Sequence, residues 1–332
     1  MFRNILVFAV LLGTLSSCSN DFDVTAPFKD IPIVYALLSK SDTAHYIRIE
    51  KAFLDPKTNA YQLAKVADSL YYPNAEVSLI DIATGEEFKL VKVDGNLEGY
   101  PREDGVFATS PNYLYKIKAN AINLKAGAVY KLLIKPNFSD LVEATATTTI
   151  LKSFTISSPA ANASLKLDNY FKNIRVEWDD DKNAYLYNVS ATYYYQETEP
   201  GGVVFQDKQK VQIIVKDLPR NPSALPDYDF PIGDLYKFLG GALVVDPTIR
   251  RKFQSISIRV VAGGKEFNDI RLINVANSGL TGAQALPTYS NIKNGLGIFS
   301  SRSTAQVDNI TFHPVSLDSL RNGIYTKQLG FE

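Results

Sequence analysis

The stretch from Tyr185 to Tyr195 restricts the fold more than any other. Tyr185, Tyr187, Val189, Ala191, Tyr193 and Tyr195 fall on one side of an extended chain. A helix would scatter the same residues around its axis, whereas a strand lines them up on one face. Ala44 to Phe53 repeats the pattern, with His45, Ile47 and Ile49 on one face and Tyr46, Arg48 and Glu50 on the other. Ile174-Arg175-Val176-Glu177-Trp178 is a third alternating run, ending on the only Trp. Composition agrees: 19 Tyr and 18 Phe against one Trp and one Met favour pleated, half-buried surfaces. The expected class is all-β with minor helices.

Strands are predicted at 31–38, 44–53, 75–82, 86–92, 113–119, 129–135 and 142–150. A short helix is expected near 60–69, where Leu63, Val66, Ala67 and Leu70 recur at helical spacing. Further along, strands are predicted at 154–156, 174–178, 185–195, 208–215, 253–262, 265–274, 295–299 and 305–312. The pair 253–262 and 265–274 reads as a hairpin around Gly263-Gly264. A helix from Ile232 is expected to stop at Gly240-Gly241, and another to cover 316–321. A loop is expected over 279–287. The chain therefore divides into two tandem β-sandwiches, 30–151 and 152–332, the second elaborated by insertions. Leu124-Lys125-Ala126-Gly127-Ala128-Val129-Tyr130 resembles the tyrosine corner of immunoglobulin-like and fibronectin-type sandwiches. The Trp-bearing strand, polar turn and Tyr-rich strand that follow resemble the start of a fibronectin type III domain.

The N-terminus carries an address. Arg3 precedes the apolar run Ile5 to Leu12, which is shorter than the about 20 apolar residues that span a bilayer. Leu15-Ser16-Ser17-Cys18 resembles the lipobox of bacterial lipoproteins. That resemblance implies removal of a signal peptide at 1–17, acylation of Cys18 and a tether over 18–29. Cys18 is the only cysteine, so the fold is expected to rest on its core without a disulfide. A single acyl chain holds a protein only marginally, and two or three hold it firmly. Asp21 and Asp23 after the cysteine resemble the export signal that sends lipoproteins of Bacteroidota to the outer face of the outer membrane.

Residues able to carry chemistry are sparse. Lys plus Arg and Asp plus Glu stand at 35 each, so nothing points to nucleic acid. Asp179-Asp180-Asp181-Lys182-Asn183 offers oxygens at calcium-loop spacing, but Ala184 and Ser190 occupy the positions that an EF-hand gives to Gly and Glu. The cluster reads as a solvated turn. His45 and His313 are the only histidines and make no zinc motif. His45 is expected half-buried in its strand and His313 at a cap or on the surface. No nucleophile elbow is present, and Gly295-Leu296-Gly297 leads into a strand, not a dinucleotide-binding helix. No catalytic residue, cofactor or metal is expected. Tyr71-Tyr72, Tyr113, Tyr115 and Tyr193-Tyr194-Tyr195 read either as framework or as aromatic platforms. Thr43, Ser69 and Ser319 lie in Asp-Thr-Ala, Asp-Ser-Leu and Asp-Ser-Leu triplets that resemble the O-glycosylation sequon of Bacteroidota.

Taken together, the lipobox, the Val34-Tyr35-Ala36-Leu37-Leu38 strand, the Ala67-Asp68-Ser69-Leu70-Tyr71-Tyr72 segment and the late Asn291 to Phe299 motif resemble a family of Bacteroidota outer-membrane lipoproteins of unknown function. The resemblance implies a lipid-anchored, cell-surface protein encoded beside TonB-dependent receptors of the SusC type. The expected role is a non-catalytic accessory or binding subunit of an outer-membrane β-barrel. The alternative is a surface module or adhesin that binds a glycan or peptide.

Overall fold

The computed structural model describes residues 31–52, 59–136, 142–206, 209–278 and 288–332. The expected signal peptide, the expected tether with Cys18 and the loop expected over 279–287 lie outside the described residues.

The N-terminal strands are β1 (Pro32–Leu38), β2 (Ala44–Lys51), β3 (Glu76–Asp81), β4 (Glu87–Lys89), β5 (Val91–Asp94), β6 (Tyr113–Lys118), β7 (Val129–Lys135) and β8 (Ala144–Thr149). One sheet has the order β4-β3-β7-β8 and packs on the larger sheet that carries β1-β2-β6-β5. The core between them is made by the inward side of each alternation, including Val34, Ala36, Ile47 and Ile49 against Val77, Leu79, Leu132 and Ile134. The expected strand at 86–92 is two strands, because the chain changes sheet at buried Leu90. Tyr130 completes a tyrosine corner: its ring is buried and its hydroxyl bonds to the Lys125 backbone.

The single helix expected over 60–69 is two short ones, α1 (Ala60–Ala64) and α2 (Ala67–Leu70). Val66 between them is extended. The Ser69 hydroxyl donates to the carbonyls of Leu63 and Val66, a local alternative to helix hydrogen bonding. A third short helix, α3 (Ala119–Ile122), follows β6.

The C-terminal half contains β9 (Ile156–Ser158), β10 (Ser164–Leu165), β11 (Asn173–Trp178), β12 (Leu186–Glu197), β13 (Gln209–Pro219), β14 (Asp227–Pro231), α4 (Ile232–Ala242), β15 (Arg251–Gly263), α5 (Lys265–Ser278), β16 (Leu296–Phe312) and α6 (Pro314–Asn322). A small β14-β11-β9 sheet and the helices α4 and α6 cover the Tyr-rich face of β12 and its neighbours. Tyr187, Val189, Ala191, Tyr193 and Tyr195 are all buried there, as the alternation predicts; Tyr185 is exposed at the strand's start. Trp178 meets Tyr187 edge-on at 5.1 Å, a favoured aromatic geometry.

Three local expectations are corrected. Residues 265–278 are helical, not a return strand: Gly263-Gly264 turns β15 into α5, which is supported by Lys265–Asp269 at 2.6 Å and Asn268–Arg271 at 3.2 Å. Helix α4 runs through Gly240-Gly241 to Ala242. Gly240 serves a close approach: a Cβ there would sit 2.4 Å from the Tyr325 carbonyl oxygen. The strands expected at 295–299 and 305–312 are one continuous strand, β16.

That last strand determines the architecture. Its first half, Leu296 to Ser301, pairs in parallel with Ile33 to Leu38 of β1. Its second half, Arg302 to Ile310, pairs antiparallel with β15. The two sandwiches therefore share one sheet of order β13-β12-β15-β16-β1-β2-β6-β5. The N-terminal core also takes in Ile292 and Phe299 from the far end of the chain. By contact, residues 31–332 form one unit. The molecule is thus a mostly β chain of two fused sandwiches with minor helices.

Candidate functional site

The side chains singled out in the sequence do not converge. Cys18 lies outside the described residues. Thr43 is exposed in the turn between β1 and β2 and makes no side-chain hydrogen bond among the described residues. Ser69 is committed to its two backbone acceptors, and Ser319 donates to the Val315 carbonyl at 3.1 Å within α6. Of these three, Thr43 alone presents an exposed hydroxyl without a partner among the described residues.

The acidic cluster is a clamp and not the solvated turn expected. Asp179 accepts from the backbone and hydroxyl of Thr155 at 3.0 and 2.7 Å. Asp180 takes a bidentate guanidinium from Arg220. Asp181 is buried and accepts from the backbone N–H groups of Lys152 and Asn183 at 2.7 and 3.0 Å. Asp179 and Asp181 fasten the segment between the sandwiches, and Asp180 fastens the residue that follows β13. Among the described residues, no group of three or more His, Cys, Asp or Glu is placed to hold a metal ion.

His313 caps α6, its Nδ1 accepting from the Val315 N–H at 3.4 Å. His45 is fully buried in β2, more so than expected, and its Nδ1 has no partner. Burial lowers its pKa below the ordinary 6.5, with Asp42 opposing the shift. The unfolded chain therefore binds a proton more readily than the folded one. This contribution to stability is complete above about pH 6.5 and is lost as pH falls below it. Urea denaturation from about pH 7.5 to about pH 5 should show a steeper decline for the native chain than for His45→Phe. Equal slopes would refute the assignment.

A groove of about 430 Å³ lies on the outward face of the shared sheet. The same alternation that buries Val34 and Ile47 turns Tyr35, Tyr46 and Arg48 outward. Tyr35 lies opposite Arg48 on β2 and Ile298 on β16, so the three form a row across the sheet. Tyr100 reaches in from the loop after β5, its ring 4.8 Å from that of Tyr46. Phe267 enters from the first turn of α5, and Arg302 from β16.

Ion pairs surround these rings. Arg302 binds Asp42 at 3.0 Å, and Arg48 and Arg102 share Glu50 at 3.2 and 2.8 Å. Lys116 pairs with Glu98, which also accepts from the Tyr46 hydroxyl at 2.9 Å. Lys116 and Tyr46 hold the Glu98 carboxyl below the usual carboxylate range. Tyr35 and Tyr100 are 53% and 54% exposed, and their hydroxyls have no partner among the described residues.

A second, smaller pocket of about 250 Å³ lies at the seam between the sandwiches. Its Glu266 carboxylate accepts from the hydroxyls of Ser300 at 2.7 Å and Thr148 at 3.3 Å. It ties α5 to both sandwiches.

Most of the tyrosines considered as platforms are framework: Tyr71, Tyr72, Tyr115, Tyr193 and Tyr195 are buried. The groove uses Tyr35, Tyr46 and Tyr100 instead. The outward side of the β2 alternation and an aromatic within the Gly-rich 96–112 loop were the available signals. Their meeting depends on pairing that local pattern does not reveal.

No family model matches the chain, and no curated protein matches it. A solved structure of the FN1-FN3 domains of chicken CNTN1 matches over 86% of this chain and 68% of that one, at 10% identity and a TM-score of 0.19. A likeness of that size adds nothing to the topology read from the sheets. No helix among the described residues is long and apolar enough to cross a membrane.

Proposed function

We propose that the protein is a lipid-anchored, non-catalytic binding subunit that serves an outer-membrane β-barrel complex from the cell surface. The observation that carries the binding role is the aromatic groove on the shared sheet, lined by side chains already held by neighbours. The anchor and the barrel partner rest on Leu15-Ser16-Ser17-Cys18, on Asp21 and Asp23, and on the resemblance drawn from them. Acylation at Cys18 would make the membrane the attachment surface.

Affinity purification from detergent-solubilised outer membranes should recover a β-barrel protein identified by mass spectrometry. Cys18→Ala should leave thermal stability unchanged and remove the protein from the outer-membrane fraction. Recovery of no barrel, or native levels of the variant in that fraction, would sink this reading.

The second reading is a surface module or adhesin that captures its ligand without a barrel. The groove favours it equally, since nothing about the groove requires a partner chain.

A further inference from the structure

We infer that the groove lined by Tyr35, Tyr46, Tyr100 and Phe267 is a binding site for a neutral glycan. This deepens the binding role proposed above and does not depend on the barrel partner. Three observations select that class of ligand.

The first is charge. Every cation at the groove already has a carboxylate: Arg302 with Asp42, Arg48 and Arg102 sharing Glu50, and Lys116 with Glu98. An anionic ligand would have to displace an internal pair, and a cationic one would meet no unpaired carboxylate there. Such fixed pairs still offer donors and acceptors on their outer edges, which suit a ligand rich in hydroxyls.

The second is the character of the apolar surface. It is led by aromatic rings beside Leu37 and Ile298, with Tyr35 and Tyr100 about half exposed and the Tyr46 and Tyr100 rings inclined by 56°. Ring faces of this kind receive the C–H faces of pyranose units, while their hydroxyls and the flanking pairs take the sugar's hydroxyl groups. The volume of about 430 Å³ falls within the ~300–1,000 Å³ usual for small-ligand sites, and the groove is open enough for a chain to continue past it.

The third observation removes two modes of peptide binding, strand addition and helix docking. A proline-rich peptide, which docks on aromatic grooves, enters the test as a competitor whose tighter binding would overturn the inference. An extended peptide binds by adding a strand to a sheet edge. The groove lies on the face of β1, which is hydrogen-bonded to β16 on one side and β2 on the other, so its backbone offers no edge. A helical peptide requires a broad apolar trough, whereas here the ring surfaces alternate with ion pairs.

The test uses the purified full chain on an array of neutral plant, algal, fungal and host glycans beside anionic ones and a proline-rich peptide. Hits are then measured by calorimetry. At least one neutral glycan should bind, with no preference for charged ones. Tyr35→Ala and Tyr100→Ala should each weaken binding by roughly tenfold, as expected for anchoring aromatics. Tyr100→Phe, which keeps the ring, should stay within about threefold of the native affinity. Both tyrosines are exposed, so the variants should melt with the native chain.

Binding to no neutral glycan, a preference for anionic ones, tighter binding of the proline-rich peptide, or affinity unaffected by both alanine variants would overturn the inference. A barrel recovered without glycan binding would leave the docking role standing and remove the ligand. Glycan binding without a barrel would do the reverse.

Discussion

Gly297→Ala is expected to cost the protein about 4 kcal/mol and to separate the melting of its two sandwiches. Gly297 has a φ of +107°, a backbone state that side chains rarely adopt. It pairs with Val34 where β16 joins β1. A Cβ built there would lie 2.0 Å from the Val34 carbonyl oxygen and 2.9 Å from both its carbonyl carbon and its nitrogen. All three atoms are backbone, so no rotamer change relieves the overlap. Backbone strain of about 1–3 kcal/mol and a similar overpacking penalty act together. Calorimetry should show the main transition falling by roughly 10 °C. It should also divide in two, because the parallel ladder is what makes the sandwiches melt together. A single transition within about 2 °C of the native one would contradict this account of the joint.

Arg251→Ala should cost the C-terminal sandwich about 3 kcal/mol. Arg251 is 1% exposed, which is unusual for an arginine. Its guanidinium binds Glu197 at 3.0 Å, the Leu329 carbonyl at 2.6 Å and the Val244 carbonyl at 3.0 Å. The fork thereby holds β12, the segment after α4 and the C-terminal residues at one point. The backbone adds to the lock, with Arg251 donating to Gly330 at 2.8 Å and Glu332 donating to Arg251 at 2.9 Å. Truncation leaves two carbonyls and a carboxylate without a donor. Glu197 is 30% exposed at its side chain and regains water, which keeps the loss at the lower end for a buried pair. Arg251→Lys should recover little, because an ammonium cannot reach all three acceptors in the geometry of a planar fork. Hydrogen exchange should show residues 326–332 opening first. Native-like protection there in Arg251→Ala would refute the assigned role.

What the sequence revealed depended on the range of the interaction. Tyr187 to Tyr195 and His45 to Ile49 announce strands because the deciding contacts act on alternate side chains of one segment. The tyrosine corner was legible for the same reason, since Tyr130 bonds five residues back along the chain. The helix at Lys265–Ser278 was not: Leu272 and Ile273 fit either period, and Gly263-Gly264 suits a hairpin as well as a helix entry. Asp179 to Asp181 looked like a solvated turn because the groups they bind, from Lys152 to Arg220, are far away in sequence. The groove was hidden more deeply. Tyr35, Tyr100 and Phe267 acquire a common purpose only after β16 has been placed beside β1.

That placement bears on how the chain reaches its native state. β1 begins at Pro32 and its parallel partner β16 only at Leu296, so this strand waits for a long stretch of chain to be made. Loop-closure entropy must be spent before this ladder forms, which predicts a slow, late step in folding. Until then β1 presents an open edge flanked by apolar residues, the kind of surface that pairs with other chains. A chain built this way depends on a holding chaperone for longer than one whose sandwiches close in order of emergence.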